Sequence, residues 1–124
     1  MILDTNALSA LFAGDEALAA LLASELVHLP VIVLGEYRFG IGRSRHAREL
    51  ELLLGQLISD SIVLPIDDDT TRHYASVREH LRRAGRPIPE NDVWIAALAR
   101  QYDQRVISRD THFDFVDRSM RLAW

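Results

Sequence analysis

Short apolar runs alternate along this chain with longer segments of helical period, and that alternation restricts its fold more than any other feature. Ile2-Leu3, Leu26 to Leu29, Ile62 to Ile66, Arg105 to Ser108 and Met120 to Trp124 read as strands, the last at an edge. Between them, Leu8, Leu11 and Phe12 recur with helical spacing up to the break at Gly14-Asp15. Further helices are expected over Glu16 to Glu25, Ile32 to Ile41, Arg45 to Ser59 and about Asn91 to Tyr102. Another carries the stripe Tyr74, Val77, Leu81 and Ala84, begins at the cap Asp67 to Thr70 and ends at Gly85. Strands joined through helices must lie parallel, with both faces of the sheet covered. The expectation is an α/β fold, a three-layer α/β/α sandwich around a mostly parallel sheet of about four to five strands. Residues 1–124 are enough for one sizeable core and leave no room for a second, so a single domain is expected.

In such sheets ligands bind beyond the carboxyl ends of the strands. Asp4 follows the first strand directly, and Asp110 comes two residues after Ser108 at the end of another, so neighbouring strands would turn both carboxylates into one crevice. Each also has a plainer role: Asp4-Thr5-Asn6 suits a helix cap, and Asp110, like Asp114 and Asp117, suits a loop. Glu36 shares its helix with Ile32 and Phe39 at the flanking positions, which is unusual company for a solvated acid. Asp92 leads the stripe Ile95, Ala96 and Ala99 from a first helical turn, where the helix dipole favours negative charge. Brought together, four acids make an oxygen-rich site that a hard divalent cation would neutralise, which points toward magnesium-dependent phosphodiester chemistry.

Absences narrow the classes. Without cysteine there is no disulfide, no thiolate nucleophile and no cysteine zinc site. All 14 basic residues are arginine, which disfavours a P-loop, a Schiff base or a lysine-assisted phosphotransfer site. The net charge of −4 is unlike that of most nucleic-acid binders. Metal-bound acids would be neutralised locally, however, leaving Arg43, Arg45 and Arg48, and Arg78, Arg82, Arg83 and Arg86, as a basic rim or simply as solvated helix faces. His73 and His80 fall seven apart on one helix, aligned with arginines and not with an acid, which argues against a histidine-pair nuclease. Trp94 and Trp124 read as core and edge packing. With neither a signal-like segment nor a membrane span visible, the expected location is cytoplasmic.

These features together resemble the PIN-domain nucleases, most closely the VapC-like toxins of bacterial toxin-antitoxin pairs. The likeness runs through the opening strand with Asp4 and Asn6, Glu36 followed by Gly40, the stretch Asn91-Asp92-Val93-Trp94-Ile95-Ala96-Ala97, and Val106-Ile107-Ser108-Arg109-Asp110-Thr111-His112-Phe113. It implies Asp4, Glu36, Asp92 and Asp110 as catalytic acids. Asp4, Asp92 and Asp110 would be the metal ligands, supported by Asn6 and by Ser108, where many relatives have threonine. His112 is expected in a supporting or phosphate-contacting place.

The implied chemistry is hydrolysis of RNA with Mg²⁺, or Mn²⁺, leaving 5′-phosphate and 3′-hydroxyl ends. Glu36 would hold a metal water or act as a base. Without metal, at least one carboxyl should have a raised pKa. The implied partners are an RNA substrate, a small cognate antitoxin and a second copy of the chain in a homodimer, with no membrane. The Leu- and Ala-rich segment Leu8 to Leu26 would form a groove for a partner helix or merely cover the sheet. A housekeeping PIN nuclease and a non-catalytic PIN module acting through protein partners are the competing readings. Retention of all four acids argues against the latter, because gathered like charges are costly without a cation.

Overall fold

The computed structural model describes residues 1–124. Strand β1 (Ile2–Leu3) leads into helices α1 (Thr5–Phe12) and α2 (Glu16–Leu22), followed by β2 (His28–Pro30), α3 (Val31–Ile41) and α4 (Ala47–Ser59). The chain continues through β3 (Ile62–Leu64), α5 (Asp68–Ala84), α6 (Glu90–Gln101) and β4 (Val106–Ile107) to a 3-10 turn (Thr111–Phe115) and β5 (Arg121–Leu122). The five strands lie in the order β3-β2-β1-β4-β5 and every pairing is parallel. Six helices flank the sheet, giving the α/β sandwich expected from the alternation.

The central strands are buried because helices cover both faces. Ile2, Leu3, Leu29, Val106 and Ile107 are inaccessible to solvent, while at the β3 edge Ile62 and Val63 remain exposed. Helix α6 is the most deeply buried: from Asp92 to Ala99 only Trp94 reaches the surface, where it stacks on Tyr74 with ring centroids 4.0 Å apart. Trp94 therefore packs on the outside of α5 and α6 and not within the core. Helix α5 begins at a reciprocal cap, in which Asp67 accepts the Thr70 N–H and Thr70 accepts the Asp67 N–H. It ends at Gly85, whose φ of +64° is one that glycine adopts without a Cβ penalty.

Several boundaries differ from the sequence expectation for local reasons. Pro30 closes β2, one residue beyond the expected strand end, and its φ of −59° leads directly into α3. Helix α2 stops at Leu22, three residues early, and Leu26 is left exposed. The short run Thr111–Phe115, unassigned from sequence, coils as a 3-10 turn because the Asp110 carboxylate accepts the His112 N–H and caps it. On the first two helices Leu8, Leu18 and Leu22 face the core, so those leucines cover the sheet and do not line an open groove.

Candidate metal centre

The β1–β4 pairing decides the geometry of the site. Leu3 is in register with Ile107, so the next residues, Asp4 and Ser108, emerge side by side at the carboxyl ends of adjacent strands. Asp4 is 5% exposed, and both its oxygens are held: Oδ1 accepts the Thr5 N–H at 2.8 Å, and Oδ2 accepts the Ser108 hydroxyl at 2.7 Å and Asn6 Nδ2 at 2.9 Å. Cap and candidate ligand are therefore one residue, since Asp4 also starts α1.

Ser108 is inaccessible to solvent, and its hydroxyl donates to Asp4 while accepting from Asn6 Nδ2 at 3.0 Å and from the Asp110 N–H at 2.9 Å. One donor and two acceptor sites complete the capacity of a hydroxyl. Asn6 Oδ1 accepts the Arg109 N–H at 3.1 Å, which pins the same loop a second time.

Asp92 projects from the first turn of α6 and is 9% exposed. Burial, followed by the charges of Asp4 and Asp110, pushes its pKa up to about 6, although His112 pulls in the other direction. Burial also raises Asp4, with a further contribution from Asp110, against the hydrogen bonds from Ser108, Thr5 and Asn6. The raised carboxyl expected from sequence is present, but desolvation contributes more to it than mutual repulsion does.

His112 stands against two of the acids. Its Nδ1 lies 2.8 Å from Asp110 Oδ1 and 3.1 Å from Asp92 Oδ2. Asp92, Asp110 and His112 offer ligand atoms all within 4.8 Å of one another, a grouping able to hold a metal ion. The available signal was its spacing: two residues beyond Asp110, on a tight turn, an imidazole returns toward the acid that caps the turn. Glu36 stands on α3, half-buried, with Oε1 accepting Asn91 Nδ2 at 3.1 Å. Asn91, the residue before Asp92, thereby ties Glu36 to the first turn of α6, a link that spacing alone did not reveal. Phe39, expected to share a covered face with Glu36, is 69% exposed, so that helix face is open to solvent.

The donor set suits a hard divalent cation. Asp4, Asp92 and Asp110 influence one another electrostatically, and none of them is in an ion pair with arginine; His112 is their only potentially cationic contact. The single buried side-chain polar atom without a partner, Thr5 Oγ1, belongs to the residue following Asp4.

With this fold and arrangement, the pattern of the PIN domain family matches residues 1–119, and the chain belongs to that family. It is similar to Ribonuclease VapC5 of Mycobacterium tuberculosis (strain ATCC 25618 / H37Rv), 34% identical over 118 residues, which cover 94% of this chain and 87% of that one. Toxin FitB of Neisseria gonorrhoeae is 30% identical over 122 residues, covering 90% and 88% of the two chains. Among solved structures, VapBC-5 from Mycobacterium tuberculosis, of the VapBC family of toxin-antitoxin systems, is 33% identical with a TM-score of 0.73, covering 98% of this chain and 94% of its own. A DNA-bound VapBC from Salmonella typhimurium shares the fold with a TM-score of 0.87 at 22% identity.

Proposed function

We propose that this chain is a Mg²⁺-dependent endoribonuclease, active on Mn²⁺ as well, and the toxin half of a toxin-antitoxin pair. The observation that carries the reading is the convergence of Asp4, Asp92 and Asp110 from two adjacent strand ends and a buried helix, with no arginine in an ion pair with any of them. Its second support is the ribonuclease and toxin relatives that match over nine-tenths of the chain.

Asp4, Asp92 and Asp110 would hold the cation. A divalent ion bound there supplies positive charge to the phosphate oxygens and acidity to water. Ser108 and Asn6 fix the Asp4 carboxylate, and the same hydroxyl fixes the loop carrying Asp110. His112 bridges Asp92 and Asp110 and keeps the two carboxylates oriented together. Glu36, steadied by Asn91, is the group assigned to take the proton from the attacking water or to hold that water in line with phosphorus. Attack by water, and not by the ribose 2′-hydroxyl, leaves 5′-phosphate and 3′-hydroxyl ends. The partners in this reading are RNA, a small antitoxin and a second copy of the chain, and the activity is cytoplasmic. No helix is long and apolar enough to cross a membrane.

The test is incubation of total cellular RNA with purified, antitoxin-free protein in Mg²⁺, Mn²⁺ or EDTA, beside Asp4→Ala and Asp92→Asn proteins. Metal-dependent cutting that disappears in both variants supports the assignment. Cutting that persists in EDTA, or in either variant, removes it.

A further inference from the structure

Among the surface cavities lined by two or more arginines, two differ in one respect. In the larger, about 740 Å³ between α5 and the start of α6, Arg78 is paired with Glu90 at 2.6 Å and Arg82 with Glu79 at 2.7 Å. Those charges are already satisfied within the protein. The second, about 640 Å³, is walled by the end of α5, the close of the 3-10 turn and the segment up to β5. Here Arg121 is clasped by Asp114 through two 2.8 Å bonds, which neutralises the one acid in the wall. Arg86 and Arg118, both exposed, have no carboxylate within ion-pair distance. The Arg86 guanidinium lies over the Phe115 ring, 5.0 Å from its centroid.

This pocket lies one short turn away from the candidate metal centre. Phe115 ends the 3-10 turn that Asp110 caps, and its ring centroid is 6.3 Å from that of His112, whose Nδ1 touches both Asp92 and Asp110. Two guanidiniums without a carboxylate partner, one of them braced over an aromatic ring, are the chemistry that receives phosphates of single-stranded nucleic acid. On a chain of net charge −4, an anionic strand also needs a local positive contact to settle beside gathered carboxylates.

We propose that the pocket formed by Arg86, Phe115 and Arg118 is a subsite for the RNA strand, seating a nucleotide adjacent to the one that is cut. The proposal rests on the ribonuclease reading above. Arg118 and Arg86 take phosphate oxygens, and the Phe115 ring braces the Arg86 guanidinium that lies over it. Because these contacts form equally before and during the reaction, they set affinity and register, and they leave the turnover of bound substrate largely unchanged.

The experiment is binding of a fluorescein-labelled single-stranded oligouridylate in EDTA over a series of salt concentrations, followed by cleavage of the same RNA in Mg²⁺. The proteins are wild type, Arg86→Gln/Arg118→Gln and Phe115→Leu, each checked by thermal melting. The double variant should bind at least tenfold more weakly, with a salt slope smaller by about 0.7 for each phosphate no longer neutralised. Its KM should rise while kcat stays within about twofold. Phe115→Leu should weaken binding severalfold with a nearly unchanged salt slope, since it removes the ring that braces Arg86 and no charge. Equal affinity and slope in wild type and the double variant would overturn the subsite, whatever the activity. Wild type that binds with the predicted sensitivity but cuts nothing would leave the subsite standing and remove the hydrolytic reading. Wild type that does not bind RNA would remove both.

Discussion

The Ser108 hydroxyl donates to Asp4 Oδ2 at 2.7 Å across neighbouring strands, and it accepts the Asp110 N–H at 2.9 Å. One side chain thus sets the position of two candidate ligands drawn from opposite ends of the sequence. Ser108→Ala should destabilise the fold by about 1–3 kcal/mol, the cost of leaving buried polar groups unpaired. Cleavage should fall by more than the reduced stability explains, and Ser108→Thr, which keeps the hydroxyl, should recover it. Thermal melts alongside initial rates check this; an alanine variant with full activity would show that the hydroxyl has no part in arranging the site.

Asp92 gives a pH signature in the absence of metal. Its folded pKa of about 6 lies above the ordinary value of 3.8, so between those limits the folded state binds more protons than the unfolded chain. Stability contributed by the protonated carboxyl is therefore present at low pH and is lost as pH rises from about 4 to about 6. Asp4 is shifted in the same direction and adds to the trend. Asp92→Asn should flatten this part of the profile and raise the metal-free Tm at pH 7 by about 4 °C, the shift that roughly 1 kcal/mol produces in a domain of this size. Melting in EDTA from pH 4 to pH 7 decides it, and identical profiles for the two proteins would contradict the assignment.

Metal should reverse that penalty. A cation that binds only the folded chain stabilises it by about 2.7 kcal/mol at one hundred times its Kd, on the order of 10 °C in Tm. The rise should be seen with MgCl2 and MnCl2 in wild type, and it should shrink sharply in Asp4→Ala. A wild-type Tm indifferent to both salts would mean that the carboxylates do not share an ion.

The loop between Ser108 and Asp110 is held from outside by Trp124. The Arg109 guanidinium lies over the Trp124 ring, 4.3 Å from its centroid, while Asp15 accepts both Arg109 Nη2 at 3.1 Å and Trp124 Nε1 at 2.8 Å. Trp124→Ala should cost about 1 kcal/mol through the cation–π contact and lower kcat severalfold by loosening the loop. Trp124→Phe keeps a ring, and should retain most of the stability with an intermediate rate. Unchanged kcat in the alanine variant would reduce this contact to surface packing.

Much of this arrangement was legible because it is local. Asp67 and Thr70 carry their cap in four residues, Gly85 marks its helix end, and Asp4 and Ser108 each stand where an apolar strand stops. What sequence left conditional was adjacency: the acids meet because β1 pairs with β4, a pairing of segments about a hundred residues apart that no periodicity encodes. The 3-10 turn was hidden for a related reason. Thr111–Phe115 has no helical stripe, and it coils only because Asp110 is already fixed by Ser108. With the turn unseen, the position of His112 between two carboxylates was unseen as well. For Leu18 and Leu22, where the sequence allowed either a partner groove or cover for the sheet, burial in the protein's own core favours cover.

The pairing of β1 with β4 also orders events on the ribosome. Asp4 is made about a hundred residues before the strand that fixes Ser108 beside it, and the β5 strand that pairs with β4 follows in turn. A nascent chain that ends before Ser108 has Asp4 and Asp92 without Asp110, and no hydroxyl to orient the first of them. The set of acids is therefore gathered only after Asp110 has been made and β4 has paired with β1, and any shorter chain carries an incomplete site.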